Sequence, residues 1–481
     1  MDVNNLKRNR IIFDPIYGFI QLTPVENEIV HSPYYQRLRW IKQLGFSCYI
    51  FPGAEHSRFG HSIGALHNCD AILKSCGLGV STEELSEYKS ENPKRTYHQN
   101  LRLAALMHDL GTFPFSHTTE MSYIHFSETK KVGADGNYLV DDHENLGSFI
   151  IKNTDFDGGI TKILKKYGFE PGVISNLVKG IDPSILANQI LHSEIDCDRM
   201  DYLLRDAHYT GLKYGAYDRD YLLHHFKVMR IGGHNILTIK HNAIHCVEDF
   251  LVSRFAWYSQ VIRSPRGAKY DAVAEKVCSY LLAKNKIIRY GDLLELVSTN
   301  PLGFYGFNDI YFMNTVQKNY TEGTFDRDKD VKDMAETLLL QKPIYNIKLD
   351  AFNKQLLHQD DLNNYNKVFK KAEAQINEIE ILLKNRGKPG DWLISDLPKK
   401  DIVFVKSKNT IVKQSGSQNV LLERDPVKIS YDNGDIKLLA QVEDSFMNRL
   451  QGSKNFIPNV FCNSSTYELL LDEGIIKEDN R

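Results

Sequence analysis

The sequence predicts a mainly α-helical core with small β-hairpins, followed by a C-terminal α+β region. From about residue 26 to residue 283, apolar residues recur at helical rather than strand spacing. Two stretches break that period with strand-like runs beside glycine, IIFDPIYGFIQLTP and FKVMRIGGHNILTIK. After Ile287 the pattern loosens and β-type runs enter. The expected units are residues 1–287, the core with its N-terminal hairpin, and residues 288–481, the α+β region.

Taken in order, IIFDPIYGFIQLTP reads as a hairpin because its apolar residues alternate around an Asp-Pro and a Gly. Helices are expected near residues 34–45, 57–76, 98–110, 142–153, 173–180, 186–207, 246–262 and 268–283. ETKKVGADGNYLVDD is polar and contains glycine, so it reads as a surface excursion or flap between helices. Beyond 287 come a helical piece around Leu293, the aromatic FYGFNDIYF, and helices near 327–341 and 361–385, the last ended by RGKPGD. From Trp392 to Val442, DIVFVK, VLLERD and VKISYDNGDIKLLAQV suggest a small sheet with a turn at Asn433 and Gly434.

Composition excludes several classes. Hydrophobic residues make up 42% and charged residues 25% of the 481, which rules out wholesale disorder and a fibrous rod. The 59 Lys plus Arg nearly balance 61 Asp plus Glu, so no global basic field recruits nucleic acid, and only a local patch could. The first residues hold no apolar stretch of signal-peptide length, and no run of about 18 uncharged apolar residues occurs. A cytoplasmic protein without membrane contact is expected. Seven scattered cysteines, never spaced CxxC, read as buried reduced thiols rather than a disulfide framework or thiolate zinc site.

Four segments carry metal-ligand chemistry. EHSRFGHSIG holds His56 and His61. In LAALMHDLGTFPFSH an apolar helix ends in His108 and Asp109, and Gly111 stands at a C′ position suited to positive φ. DDHENLGSF opens a helix at His143 and Glu144. In LHSEIDCDRMDYLLRDAHYTG, a helical wheel puts Asp198, Asp201, Tyr202, Arg205 and Asp206 within an arc of about 140°, opposite Cys197, Met200, Leu203 and Leu204. Such a face on an isolated helix is usually just solvated. Adjacent His and Asp, however, leave a helix about 100° apart, and at its end both reach one cation. His61 and Asp198 would complete a set of two histidines and two carboxylates, suited to Mn, Fe, Zn or Ni more than to Mg. No phosphate-binding P-loop exists, because Leu382 stands where a GxxxxGK string ending at Gly387-Lys388 needs glycine.

Together with DPIYGFIQL and YYQRLRWIKQLGFSCYIFPGAEHSRFGHSIG, the motifs MHDLGTFPFSH, DHENLG and DCDRMDYLLRDAHYTG resemble the HD-domain phosphohydrolases. The resemblance is nearest to their deoxynucleotide triphosphohydrolase branch, which includes the SAM-and-HD-domain protein and bacterial dGTPase-like enzymes. It implies a divalent metal on His61, His108, Asp109 and Asp198. It also implies His117 and His143 as acid or proton-shuttling groups, with Glu120 and Glu144 as orienting carboxylates. Gln43, Leu44 and Arg58 resemble nucleoside and phosphate contacts, and Tyr202 and Asp206 a sugar-site pair. Arg58, Arg199 and Arg205 would offset polyphosphate charge. The implied reaction is attack of a metal-activated water on the α-phosphorus of a dNTP, releasing deoxynucleoside and inorganic triphosphate.

Departures accompany the likeness. Thr112 stands where the family commonly has a further histidine at the phosphates, and Ile262 and Ser264 replace the Tyr and His of a YxHK string. His31 replaces an acidic residue that reads guanine in nucleotide-activated relatives, so no activator site is assigned, and Arg37, Arg39 and Lys42 read as a solvated helix face or subunit contact. His56 reads as a cap or an orienting group, and His67, His98, His125, His192 and His245 as structural. Two further readings stand beside the triphosphohydrolase. One is a phosphatase, phosphodiesterase or nuclease in which His117 or His143 joins a second metal, and the other is an oligomeric nucleotide- or nucleic-acid-binding protein with weak chemistry. A homodimer or homotetramer is expected.

Overall fold

The N-terminal hairpin forms as expected: Ile11–Asp14 pairs antiparallel with Gly18–Gln21, and Asp14 Oδ1 accepts the Ile16 and Tyr17 amides to close the turn. The structure, a computed structural model, describes residues 10–81, 84–85, 90–126, 131–132, 138–139, 141–349, 356–358, 362–396, 402–403, 421–450, 453–455 and 458–477. Helices dominate it.

Four core helices coincide with their expected positions: Arg58–Ser75, His143–Asn153, Pro171–Val178 and Pro265–Ala283. The expected 98–110 helix starts earlier, at Pro93, where Asn92 caps it, and ends at Met107. Residues 34–45 do not form one helix. Pro33–Gln36 passes into a 3-10 turn at Arg37–Trp40, the chain extends at Ile41, and a second 3-10 turn spans Gly45–Tyr49. Gly45 has φ +52, and a Cβ there would meet Asp271 Oδ1 at 2.7 Å, so tertiary contacts override the helical period. The 186–207 segment is two helices, Ile185–His192 and Cys197–Thr210, the second capped by Asp196, whose side chain accepts the Arg199 amide. The 246–262 helix runs from Ile244 to Trp257 and closes in a π turn at Tyr258–Ile262. Pro24–Val30, His117–Phe126, Ile160–Lys166 and Arg219–His224 are further helices that apolar spacing did not announce.

Phe226–Ile231 and His234–Lys240 form the second expected hairpin. The β runs after Trp392 do not make one sheet. Lys428–Ser430 pairs antiparallel with Ile436–Leu438, across a turn with Gly434 at φ +92, and parallel with His234–Lys240. Leu393–Asp396 instead joins Asn459–Cys462 and Tyr345–Asn346, and Ile402–Val403 joins Ser453–Asn455 and Leu356–His358. The rest of DIVFVK lies outside the described residues. So does most of ETKKVGADGNYLVDD, in which Lys131–Val132 pairs with Tyr138–Leu139.

One hydrophobic core runs from Ile20 to Phe461 and crosses residue 287, including Leu293, Phe304, Phe312 and Ile429. A smaller cluster packs Leu362–Arg386 onto the C-terminal sheet through Ala372, Ile376, Ile379, Val460 and Leu470. All seven cysteines are free, five of them buried. Among the described residues no helix is long and apolar enough to cross a membrane.

Buried charge ties the helices together. Thr23 and Glu26 form a capping box at the start of Pro24–Val30. Glu26 then accepts Arg102 Nε at 2.7 Å and Nη2 at 2.8 Å, while Arg102 Nη1 reaches Asp70 Oδ1 at 2.7 Å. All three side chains are buried. Arg102→Ala leaves two carboxylates without their cation in the interior and is expected to cost about 3–5 kcal/mol in urea unfolding.

Candidate metal centre and active site

His61 lies one turn into Arg58–Ser75 and is fully buried. Its Nδ1 donates to Asp201 Oδ2 at 2.8 Å, and a carboxylate only accepts, so Nδ1 carries a proton and Nε2 faces the site. Arg205 donates to both Asp201 oxygens, at 2.8 and 2.9 Å, and reaches Asp14 Oδ2 of the hairpin at 2.9 Å. Gly64 makes this possible: a Cβ there would stand 1.8 Å from Asp201 Oδ1. The ring is held by alternating charges from three parts of the chain.

His108 and Asp109 sit in the turn that ends Pro93–Met107. His108 Nδ1 donates to the Ala105 carbonyl at 2.8 Å, which aims its Nε2 at that of His61, 3.2 Å away. Gly111 does not take positive φ. Its requirement is close approach, since a Cβ would meet the His143 carbonyl at 2.1 Å and the Gly147 amide at 2.3 Å. Asp198 Oδ1 lies 3.0 Å from His61 Nε2 and 3.8 Å from His108 Nε2, and Asp109 Oδ2 lies 3.7 and 3.5 Å from the same two nitrogens.

Adjacent donors about 2.1 Å from one centre stand about 3.0 Å apart at right angles and about 3.4 Å apart in a tetrahedron. The 3.2 Å between the two histidines and the 3.0 Å from His61 to Asp198 fall in that range, and His61, His108 and Asp198 form one candidate ligand group, with Asp109 somewhat farther from both nitrogens. The electrostatics match as well. Burial lowers the His61 pKa, but hydrogen bonds to Asp198 and Asp201 more than offset it and push it up to about 10. Burial would raise Asp109 and Asp198, yet Arg58 holds the first, and His61 the second, well below the usual carboxylate range. The pocket attracts positive charge, and its nitrogen and oxygen donors fit a divalent cation.

Beside this set, Glu120 joins two more histidines. Its Oε2 accepts His117 Nδ1 and its Oε1 accepts His143 Nδ1, both at 2.6 Å, and Oε1 also takes the His143 amide at 2.7 Å. Burial lowers the His143 pKa, but the Glu120 charge and hydrogen bond push it up to about 9. His117 is exposed, whereas Glu120 is buried.

No protein-family model matches the chain. It is 32% identical over 276 residues to the protein YwfO of Bacillus subtilis, covering 56% of each chain. Over 231 residues it is 29% identical to the deoxynucleoside triphosphate triphosphohydrolase SAMHD1 of Homo sapiens, covering 42% of this chain and 34% of that one. The chain is thus similar to SAMHD1 over a segment of less than half its own length. It spans a little over half the length of YwfO and about a third of SAMHD1. The crystal structure of a phosphohydrolase from Bacteroides thetaiotaomicron shares the fold, with a TM-score of 0.61 and 20% identity over 94% of this chain and 99% of that one.

The remaining sequence-predicted contacts divide. Arg58 reaches the centre, donating from Nη1 to Asp109 Oδ2 at 2.8 Å and from Nε to Ser116 Oγ at 3.0 Å. Thr112 is buried and donates to Asp109 Oδ1 at 3.2 Å. Gln43 and Leu44 are buried, the Gln43 amide donating to the His56 carbonyl at 3.0 Å. His56 is an orienting group: its Nε2 bonds Asp206 at 2.7 Å and its ring stacks on Tyr209. Gln43 Oε1, His56 Nδ1 and Tyr202 Oη are buried without a hydrogen-bond partner. Arg199 is paired with Asp196, and Glu144 is exposed and bonds neither histidine. The sequence reading left Asp201 and Ser116 without a role and read Arg205 only as an offset to phosphate charge. Asp201 and Arg205 were visible on the acidic face of the wheel, whereas Ser116 gave no signal.

Gly64→Ala displaces Asp201 from His61 and is expected to weaken Mn binding 10–100-fold in calorimetric titration, the usual cost of losing a carboxylate behind a ligating histidine.

Proposed function

We propose that the protein is a metal-dependent phosphohydrolase that converts deoxynucleoside triphosphates into deoxynucleoside and inorganic triphosphate. The observation that carries this reading is the grouping of His61, His108 and Asp198, with Asp109 Oδ2 within 3.7 Å of both imidazole nitrogens, beside a hydrogen-bonded histidine pair. The homology to SAMHD1, a deoxynucleoside triphosphate triphosphohydrolase by name, supports the substrate class.

His61, His108, Asp109 and Asp198 would hold the ion, with Mn, Fe, Zn, Ni or Mg as candidates. Bound there, a divalent cation supplies Lewis acidity toward a phosphoryl oxygen and toward water. Arg58 fixes Asp109 and brings a guanidinium to the same place. His143 is charged at neutral pH and is the proton donor to the departing 5′-oxygen as the bond from that oxygen to the α-phosphorus breaks. Glu120 holds that ring and the exposed His117 in register. Tyr202 stands one turn after Asp198 with a buried hydroxyl that lacks a partner, and it takes the sugar side with Asp206.

A second metal on His117, Glu120 and His143 is less well supported. Their nitrogen to oxygen separations of 2.6 Å suit charge-assisted hydrogen bonds and fall short of the roughly 3.0 Å between neighbouring ligands. This favours the triphosphohydrolase over the two-metal phosphodiesterase.

Incubating the protein with Mn and each dNTP is expected to yield deoxynucleoside and triphosphate in equal amounts, with His108→Ala at least about 10³-fold slower. Monophosphate plus pyrophosphate would overturn the proposal. The acid form of His143 is present below its raised pKa and is lost as pH rises through it. The kcat profile should therefore fall with a midpoint near 9, a limb absent in His143→Ala.

A further inference from the structure

The last unexplained feature of the site is a backbone one. Phe115 and Ser116, just before His117, both take positive φ, +53 and +58. Neither is glycine, and two consecutive left-handed residues persist only where surrounding contacts impose them.

The contacts come from beyond residue 287. Asp309 opens the helix Asp309–Thr321 and is almost fully buried. Its Oδ1 accepts the Phe115 amide at 2.6 Å and its Oδ2 accepts the Lys42 amide at 2.9 Å, so one carboxylate clamps two loops distant in sequence. Phe312, one turn along the same helix, packs edge-on against Phe115, which stacks on Phe46 at 3.9 Å. The turn so fixed presents Ser116 Oγ, which donates to the Lys42 carbonyl at 2.6 Å and accepts Arg58 Nε at 3.0 Å. Arg58 in turn holds Asp109.

We propose that Asp309 is a positioning residue of the site: by holding the Lys42 and Phe115 amides it imposes the left-handed Phe115–Ser116 turn that aims Arg58 and His117. The effect on catalysis rests on the hydrolase reading above, whereas the clamp itself does not. A carboxylate is required, because asparagine would offer one oxygen and turn an amide N–H toward the other donor.

The test compares the full-length wild type with Asp309→Asn, Ser116→Ala and their double variant, with Val460→Ala in the distant C-terminal sheet as a control for lost stability. Asp309→Asn is expected to bind Mn as the wild type does and keep KM within about threefold. It should lower kcat about 10–100-fold, the scale of a misplaced catalytic group. Ser116→Ala, which leaves the clamp intact but cuts its link to Arg58, should lower kcat similarly. The double variant should be little worse than either single, because both break one chain of contacts. Hydrogen exchange should accelerate at the Lys42 and Phe115 amides and stay unchanged in the Asn459–Cys462 strand.

Unchanged exchange at those two amides, a kcat loss no greater than that of Val460→Ala, or additive losses in the double variant would overturn the inference. An inactive wild type whose amides still accelerate in Asp309→Asn would uphold the clamp while refuting the hydrolase reading. If Asp309→Asn does not fold, Ser116→Ala decides: a normal kcat in that variant refutes the role of the turn.

Discussion

Two imidazole Nε2 atoms stand 3.2 Å apart, and holding them there is the constraint on which the centre depends. Each ring must give its other proton to a fixed acceptor. For His108 the acceptor is a carbonyl of its own helix, which costs the fold nothing extra. For His61 it is Asp201 on another helix, whose approach requires Gly64 and whose charge requires Arg205. Arg205 in turn engages Asp14, so the N-terminal hairpin, which contributes no ligand, belongs to the support of the centre.

The same logic recurs through the interior. Arg102 is buried between Glu26 and Asp70, and Arg58 between Asp109 and Ser116. Arg37, expected on a solvated face, is fully buried and donates to the Leu110 and Phe307 carbonyls, with its guanidinium over the Phe304 ring. With few hydrogen-bond acceptors to offset it, burial pulls its pKa down to about 9. Leu110 follows Asp109 directly, so Arg37 ties the His108–Asp109 turn to the segment after residue 287. With the Lys428–Ser430 strand on the second hairpin, this makes the C-terminal residues structural partners of the segments that carry the candidate centre.

What could be read from the sequence follows from how local each signal is. His108 and Asp109 were legible because adjacency at a helix end is itself the geometry, and the Cys197–Thr210 wheel was legible because one helix carries the whole pattern. Residues 34–45 read as one helix because a short helix and two 3-10 turns, the turns joined by Ile41–Leu44, repeat apolar side chains at nearly helical spacing. At Gly111 the sequence shows that glycine is needed but not whether torsion or crowding needs it, and the structure makes it crowding. Ser116 and Asp309 were illegible, since their partners lie across long separations in sequence and Asp309 looks like the ordinary start of a helix.

On the proposed reading, Thr112, at the place where the resembled enzymes commonly have a histidine, changes where substrate charge is met. A threonine hydroxyl carries no proton charge, and here it is spent on Asp109, orienting a carboxylate of the metal set. Arg58 already shares its charge with Asp109, and Arg199 with Asp196. Of the groups assigned to the site, His117 is the one whose ring stands mostly in solvent while its Nδ1 is anchored to a buried carboxylate. An anchored, exposed imidazole with a free Nε2 is equipped to approach a polyphosphate from the open side, which divides the labour of the histidine pair. On the proposed reading, His143, less exposed and held charged by Glu120, handles the proton, and His117 takes the contact that the missing histidine would have made.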